Sequence, residues 1–161
     1  MRVFRLLMAG VAVLAALQPF SRSSAFPVLQ AAATQEKDDP TAFTSQVAVR
    51  LLDQVKQGLE GRMAKKALGS FDLSRMTGGQ SFKDQITAFL DQHESIRVHF
   101  NLVETSTTGA ESVAIVDVEM EEDQRSDIAA PGHKHAQLRF VAQNTPAGWR
   151  FTDVQPRSFF T

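Results

Sequence analysis

Alternating apolar and polar residues predict two β-strands near the end of the chain. Leu138 and Phe140 fall on one side of the first strand, and Trp149 and Phe151 begin the same alternation on the second. A period of two is typical of a strand with one buried face and one solvated face. The Pro146–Gly148 connection between the two runs predicts a tight turn. This pair therefore indicates an antiparallel sheet that something else must cover on one side.

The same alternation predicts two further strands upstream of this pair. The first of these strands continues to Val103, and its inner positions are Ile96, Val98, Phe100 and Leu102. The second follows the turn residues at 107–109, and its inner positions are Ala114, Val116, Val118 and Met120. Residues 121–134 are polar, contain Pro131-Gly132 and predict a loop.

A repeat of about four residues predicts helices before the strands. The first has Asp39 as N-cap, Pro40 at its first position and Gly61 at its end, with an apolar stripe made by Phe43, Val47, Leu51, Val55 and Leu59. Residues 62–71 predict a short second helix. A third follows the Gly78-Gly79 break, with Ser81 and Asp84 as a capping-box variant, and ends near His93. Three helices followed by four antiparallel strands make an α+β fold.

The first 25 residues predict a secretory signal peptide. Arg2 and Arg5 form a basic start, an apolar run extends from Leu6 to Leu17, and small residues precede Phe26. That run is shorter than the roughly 20 residues that span a bilayer, which disfavours the alternative of a membrane anchor. We therefore expect a signal peptide at 1–25, a flexible linker at 26–39 and the domain at 40–161. The protein is expected to be exported, either periplasmic or secreted.

Composition narrows the classes of function. The chain has 161 residues, which fits one domain, and its formal net charge is −1. Three of the 17 basic residues lie in the leader, so the remaining chain is mildly acidic and has no basic stripe. This disfavours nucleic acid as a partner and leaves the uncleaved signal peptide as the only expected membrane contact. The absence of cysteine excludes disulfides and cysteine-based metal sites or nucleophiles.

The order of elements, the closing Gly148-Trp149-Arg150-Phe151 and the terminal Phe159-Phe160 resemble the nuclear transport factor 2-like superfamily. The resemblance implies three helices packed in the concave face of a curved sheet, forming a cone with a pocket; the cystatin-like fold is the neighbouring alternative. Many members insert a small hairpin between the second and third helices. Here only Asp72 to Gln80 is available, which predicts a shallow or filled pocket.

Asp153 is the candidate catalytic residue. It continues the phase of Trp149 and Phe151, so without a bulge it would point into the cone, where burial would favour an acid–base role. The alternative is a bulge or strand end that leaves Asp153 to pair with a basic residue. Glu104 shares the inner phase of its own strand, but it lies at the strand end, where we expect it to be exposed.

The aromatic residues of the inner face are the candidate ligand-binding residues: Trp149, Phe151, Phe140 and Phe100. No histidine is predicted on this face, which counts against the acid–histidine pair that several enzymes of the superfamily use. His133 and His135 share a face but lack a defined third ligand, so no metal is predicted. The Gly78-Gly79 pair is not followed by the residues of a phosphate loop, and no cofactor is predicted.

These features predict an exported binding or accessory module that holds a small apolar ligand or contacts a protein partner. The alternative is an isomerase, dehydratase or cyclase that uses a carboxylate in the cone. A homodimer packed through the sheet is a third interpretation.

Overall fold

The structure is a computed structural model and describes residues 42–125 and 131–161. Within these residues three α-helices precede a four-stranded antiparallel sheet of order β1-β2-β3-β4, which confirms the predicted α+β class. The predicted signal peptide and linker lie outside the described residues. The elements are α1 (Ser45–Glu60), α2 (Ala64–Leu68), α3 (Gly79–Gln92), β1 (His93–Thr108), β2 (Glu111–Gln124), β3 (Gly132–Thr145), β4 (Gly148–Gln155) and a short 3-10 helix (Arg157–Phe160).

Two helix starts differ from the prediction. Helix α1 begins at Ser45, where the Thr44 hydroxyl accepts a hydrogen bond from the Val47 N–H at 3.3 Å. The predicted cap residues at 39–40 lie outside the described part of the chain. The capping-box prediction for α3 is wrong, because Gly78, with φ of 69°, already starts this helix and places Ser81 inside it. Neither α1 nor α3 nor the shorter α2 is long and apolar enough to cross a membrane.

The space between the helices and the sheet is filled by side chains. The apolar stripes of α1 and α3 and the inner face of the sheet form one cluster of buried residues. Its largest fully buried members are Phe82, Phe89, Phe140, Phe151 and Phe160. Phe140 and Phe151 lie 4.8 Å apart between ring centroids, and Phe71 lies 5.6 Å from Phe151. The interior is therefore a packed core, as the missing hairpin insertion led us to expect.

One-residue register shifts decide on which side of the sheet three titratable residues lie. The shift between His93 and Ser95 in β1 places His93 inside, where only 3% of its surface is exposed. The shift between Leu102 and Glu104 pairs Glu104 with Ile115 on the outer side and leaves it exposed; the exposure was expected, but from a strand end rather than from a bulge. A third shift, between Val141 and Ala142 in the β3–β4 pair, changes the side of β4 on which Asp153 lies. Each bulge adds one residue and reverses the side to which the following residues point.

The outer face of the sheet, predicted to be solvated, carries cross-strand polar pairs. Arg97 lies 3.3 Å from Glu121, and Arg139 lies 3.6 Å from Glu111. These pairs are exposed and contribute little to stability individually. Thr152, although polar, is buried, because it is the extra residue of the β4 bulge.

The free edge of β4 is covered by the segment between α2 and α3. Phe151 donates its N–H to the Ser70 carbonyl and accepts from the Asp72 N–H, both at 2.8 Å. The Ser70 hydroxyl in turn donates to the Leu51 carbonyl of α1 at 2.9 Å. These bonds hold the loop that carries Arg75 beside the start of β4.

Candidate functional site

Asp153 lies outside the core and is paired with a cation. The β4 bulge places it opposite Val141, whereas Val154, opposite Phe140, takes the inner position. Arg157 donates to Asp153 Oδ1 at 2.6 Å through Nη2 and at 3.2 Å through Nε. Burial alone would raise the pKa of Asp153, but the hydrogen bonds from Arg157, Gln155 and the Val154 N–H hold it below its ordinary value. Asp153 therefore has the surroundings of an ionised structural carboxylate.

Replacing Asp153 by asparagine should make the free energy of unfolding less dependent on pH in the acidic range. Because the pKa of Asp153 is lowered in the folded state, the pairing stabilises the wild type above the ordinary value of 3.8 and is lost as the pH falls through the lower folded pKa. We expect a cost below about 1 kcal/mol at neutral pH, disappearing at low pH. Urea unfolding of both proteins across this range measures it. A cost that persists in acid would contradict the assignment.

The predicted aromatic ligand walls take two different positions. Phe140 and Phe151 are fully buried and touch other rings rather than open space. Phe100 is partly buried, with its ring 6.4 Å from that of Phe140 and nearly perpendicular to it. Their geometry therefore gives no support to a role as ligand walls. Trp149 is the member of the set that borders an open cavity.

This cavity, the Trp149 cleft, lies at one end of the sheet and has a volume of about 510 Å³. The β1–β2 turn, the β3–β4 hairpin, the start of α1 and the loop before α3 enclose it. Its lining comprises Ala42, Phe43, Arg75, Thr107, Gly109, Ala110, Ser112, Gln143, Asn144 and Trp149. Among these described residues none is acidic and one, Arg75, is cationic.

Arg75 is held at the cleft by two weak contacts. Its Nη1 donates to Gln143 Oε1 at 3.3 Å, and its Nε lies 3.5 Å from Asp72 Oδ2. Asp72 is itself fixed, because the Ser74 hydroxyl and the N–H groups of Ser74 and Arg75 all donate to its Oδ1. The pKa of Asp72 lies below its ordinary value, chiefly because the Ser74 hydroxyl donates a hydrogen bond to it. Burial raises this pKa, whereas the backbone N–H groups of Ser74 and Arg75 and the charge of Arg75 lower it further. Asp72 therefore keeps a negative charge that orients the half-exposed Arg75 side chain.

Trp149 supplies an apolar wall and an unused donor. Its ring packs against Phe43 at 5.0 Å between centroids, so the two side chains form one aromatic surface. Its Nε1–H is buried and has no hydrogen-bond partner among the described residues. A buried donor without a partner costs roughly 1–3 kcal/mol.

A second polar group, the Glu122 cluster, lies at the opposite end of the sheet. It consists of Glu122, His93 and Lys134: His93 Nε2 lies 3.6 Å and Lys134 Nζ 3.0 Å from Glu122 Oε1. His93 Nδ1 lies 2.6 Å from the Phe89 carbonyl. The prediction that no histidine faces inward is therefore wrong. However, His93 and Glu122 are only 3% and 5% exposed, so this acid–histidine pair is closed to solvent.

One member of this cluster, Glu122, could have been found from the sequence. Glu122 continues the inner phase of Val118 and Met120, and it was missed because the strand was predicted to end at Met120, whereas β2 extends to Gln124. His93 depends on the bulge at the start of β1, for which the sequence has no glycine or proline signal. Periodicity alone could not place it.

The two histidines considered as metal ligands lie on the outer face of β3. His133 is paired with Glu121 and His135 with Glu119. In the described ranges, 42–125 and 131–161, no group of three or more His, Asp or Glu side chains is placed to hold a metal ion.

Comparisons with known proteins identify the fold but not the activity. No protein-family model matches the sequence. No curated protein matches it either. Among solved structures, a nuclear transport factor 2-like superfamily protein from Salmonella enterica is similar, with a TM-score of 0.60 and 15% identity over 68% of this chain and 86% of that one.

Two further solved structures carry enzyme names. One described as a putative scytalone dehydratase from Novosphingobium aromaticivorans has a TM-score of 0.61 and 11% identity, covering 68% of this chain and 79% of that one. One described as a hexachlorocyclohexane dehydrochlorinase has a TM-score of 0.53 and 11% identity, covering 68% and 82%. At these identities the likeness concerns the fold alone.

Proposed function

The chain has the nuclear transport factor 2-like fold, and we propose that it is a binding module that holds a small molecule in the Trp149 cleft. The observation that carries this proposal is the contrast between a filled interior and an open cleft lined by Trp149, Phe43 and Arg75. Its volume of about 510 Å³ suits a small organic ligand. The rings of Trp149 and Phe43 stand beside five polar side chains, those of Arg75, Thr107, Ser112, Gln143 and Asn144.

The alternative, that the protein is an enzyme, has less support from the positions of the residues that could act as acid or base. Neighbours with the same fold include a putative dehydratase, so a small-molecule enzyme stays compatible with the fold. An acid–base mechanism needs a titratable group within reach of the substrate. Asp153 is paired with Arg157 away from the cleft lining, and the His93–Glu122 pair is enclosed at the other end of the sheet. Binding without chemistry is therefore the function that we favour.

Export remains part of the proposal and is supported by the leader pattern at residues 1–25. It is tested by determining the amino terminus of the protein isolated from its native cells. Cleavage just before Phe26 is the expected result, and an intact leader would argue against export.

The alternative of a protein partner, or of a homodimer through the sheet, predicts a species larger than the monomer in light scattering.

A binding screen tests the proposed cleft. Trp149 is the only tryptophan of the chain and there is no tyrosine, so intrinsic fluorescence reports directly on the cleft. A fragment library would be screened by ligand-observed NMR, and compounds that bind would be retested by Trp149 fluorescence. We expect saturable fluorescence changes for several compounds.

A matched pair of variants locates the binding site. Ala110→Phe adds a large side chain at the exposed turn that borders the cleft, whereas Val103→Phe adds one at an exposed position of β1. We expect binding to weaken at least about tenfold in the first variant, which is about 1.4 kcal/mol, and to stay unchanged in the second. Equal effects of the two variants, or no bound compound at all, would overturn the proposal.

A further inference from the structure

The Trp149 cleft combines an aromatic surface with a single cationic side chain, that of Arg75. The ring of Trp149 packs against that of Phe43, and Arg75 provides a charged donor. None of the described residues in the lining carries a negative charge. A neutral or cationic ligand would leave Arg75 without a charged acceptor.

The charge at Arg75 is only partly neutralised within the protein. Its contact with Asp72 is a single approach of 3.5 Å at Nε, and the Arg75 side chain is 48% exposed. The second contact, at Nη1, goes to the neutral amide oxygen of Gln143. A guanidinium group binds carboxylates most strongly when it makes two parallel hydrogen bonds, and neither of these contacts uses that geometry.

We infer that the Trp149 cleft takes a small organic carboxylate whose apolar ring lies against Trp149 and Phe43 and whose carboxylate is bound by Arg75. This inference rests on the proposed function and specifies its ligand class. Asp72 then acts as a positioning residue, since its backbone and hydroxyl contacts fix the carboxylate that orients Arg75. The amide groups of Gln143 and Asn144 at the rim provide further donors.

Three probes of nearly equal shape test the charge preference: phenylacetate, neutral phenylacetamide and cationic phenethylamine. Isothermal titration calorimetry of the full chain would measure their affinities at low and at high salt. We expect phenylacetate to bind at least about tenfold more tightly than phenylacetamide, because a hydrogen bond to a charged group is stronger than one to a neutral group. This advantage should shrink as salt screens the charges.

The variant Arg75→Gln tests the named cation, with Arg50→Gln at an exposed position of α1 as its matched control. Arg75→Gln should reduce phenylacetate affinity to that of phenylacetamide and leave phenylacetamide unchanged; Arg50→Gln should change neither. Equal binding of phenylacetate and phenylacetamide to the wild type, or an unchanged preference in Arg75→Gln, overturns the carboxylate inference while the cleft remains a binding site. If the fragment screen also finds no compound bound at Trp149, the proposed function itself fails.

Discussion

Replacing Phe151 by alanine is expected to lower the free energy of unfolding by about 3–5 kcal/mol. Phe151 is fully buried between Phe71 and Phe140, and its backbone pairs both with β3 and with the segment before Asp72. Truncation would remove buried apolar area and leave a cavity that this crowded centre cannot easily close. Chemical denaturation of the two proteins measures the difference.

The matched control is Val103→Ala, at a side chain that is 52% exposed on β1. Its expected effect is within about 0.5 kcal/mol. A loss below about 1 kcal/mol for Phe151→Ala would contradict a packed interior and would restore Phe151 as a wall of an open pocket.

Replacing Lys134 by methionine is expected to cost about 3 kcal/mol, because it leaves the buried carboxylate of Glu122 without its nearest cation. Glu122 Oε2 already lacks a hydrogen-bond partner among the described residues, and Gly132 packs closely against the Glu122 side chain. Relaxation toward solvent is therefore restricted. Denaturation at neutral pH provides the measurement.

A double-mutant cycle distinguishes the ion pair from simple packing. The double variant Glu122→Leu, Lys134→Met removes both charges and should be more stable than Lys134→Met alone, because no uncompensated charge remains in the interior. Additive losses in the two single variants would show that Lys134 and Glu122 are not coupled.

Much of the sheet could be predicted because its inner face alternates without interruption in the central strands. Val116, Val118, Leu138 and Phe140 are all fully buried, as their spacing indicates. Strand lengths were underestimated: β1 and β2 extend well beyond their apolar runs, with polar residues continuing the ladder. Backbone pairing continues wherever a partner strand is present, whether or not the side chains are apolar.

The candidate site could be predicted only in part. Trp149 was predicted on the inner face from its phase; it packs against the core and lines a cleft at the end of the sheet rather than an interior pocket. Arg75 is brought to the cleft by the segment that pairs with Phe151, a contact between residues distant in sequence that local pattern does not reveal. The position of Asp153 depends on a bulge of one residue, and no glycine or proline marks that position in β4. Such bulges invert the face of every later residue while leaving the composition of the strand unchanged.

The most direct test of the proposed cleft is the indole N–H signal of Trp149 in a proton–nitrogen correlation spectrum, recorded during titration with the tightest-binding compound from the fragment screen. The binding module that we propose predicts a saturable shift of this single signal, together with the backbone amides of Gln143 and Asn144, while the amide of Val49 stays in place. An unchanged Trp149 signal, with shifts confined to residues elsewhere in the domain, would contradict it.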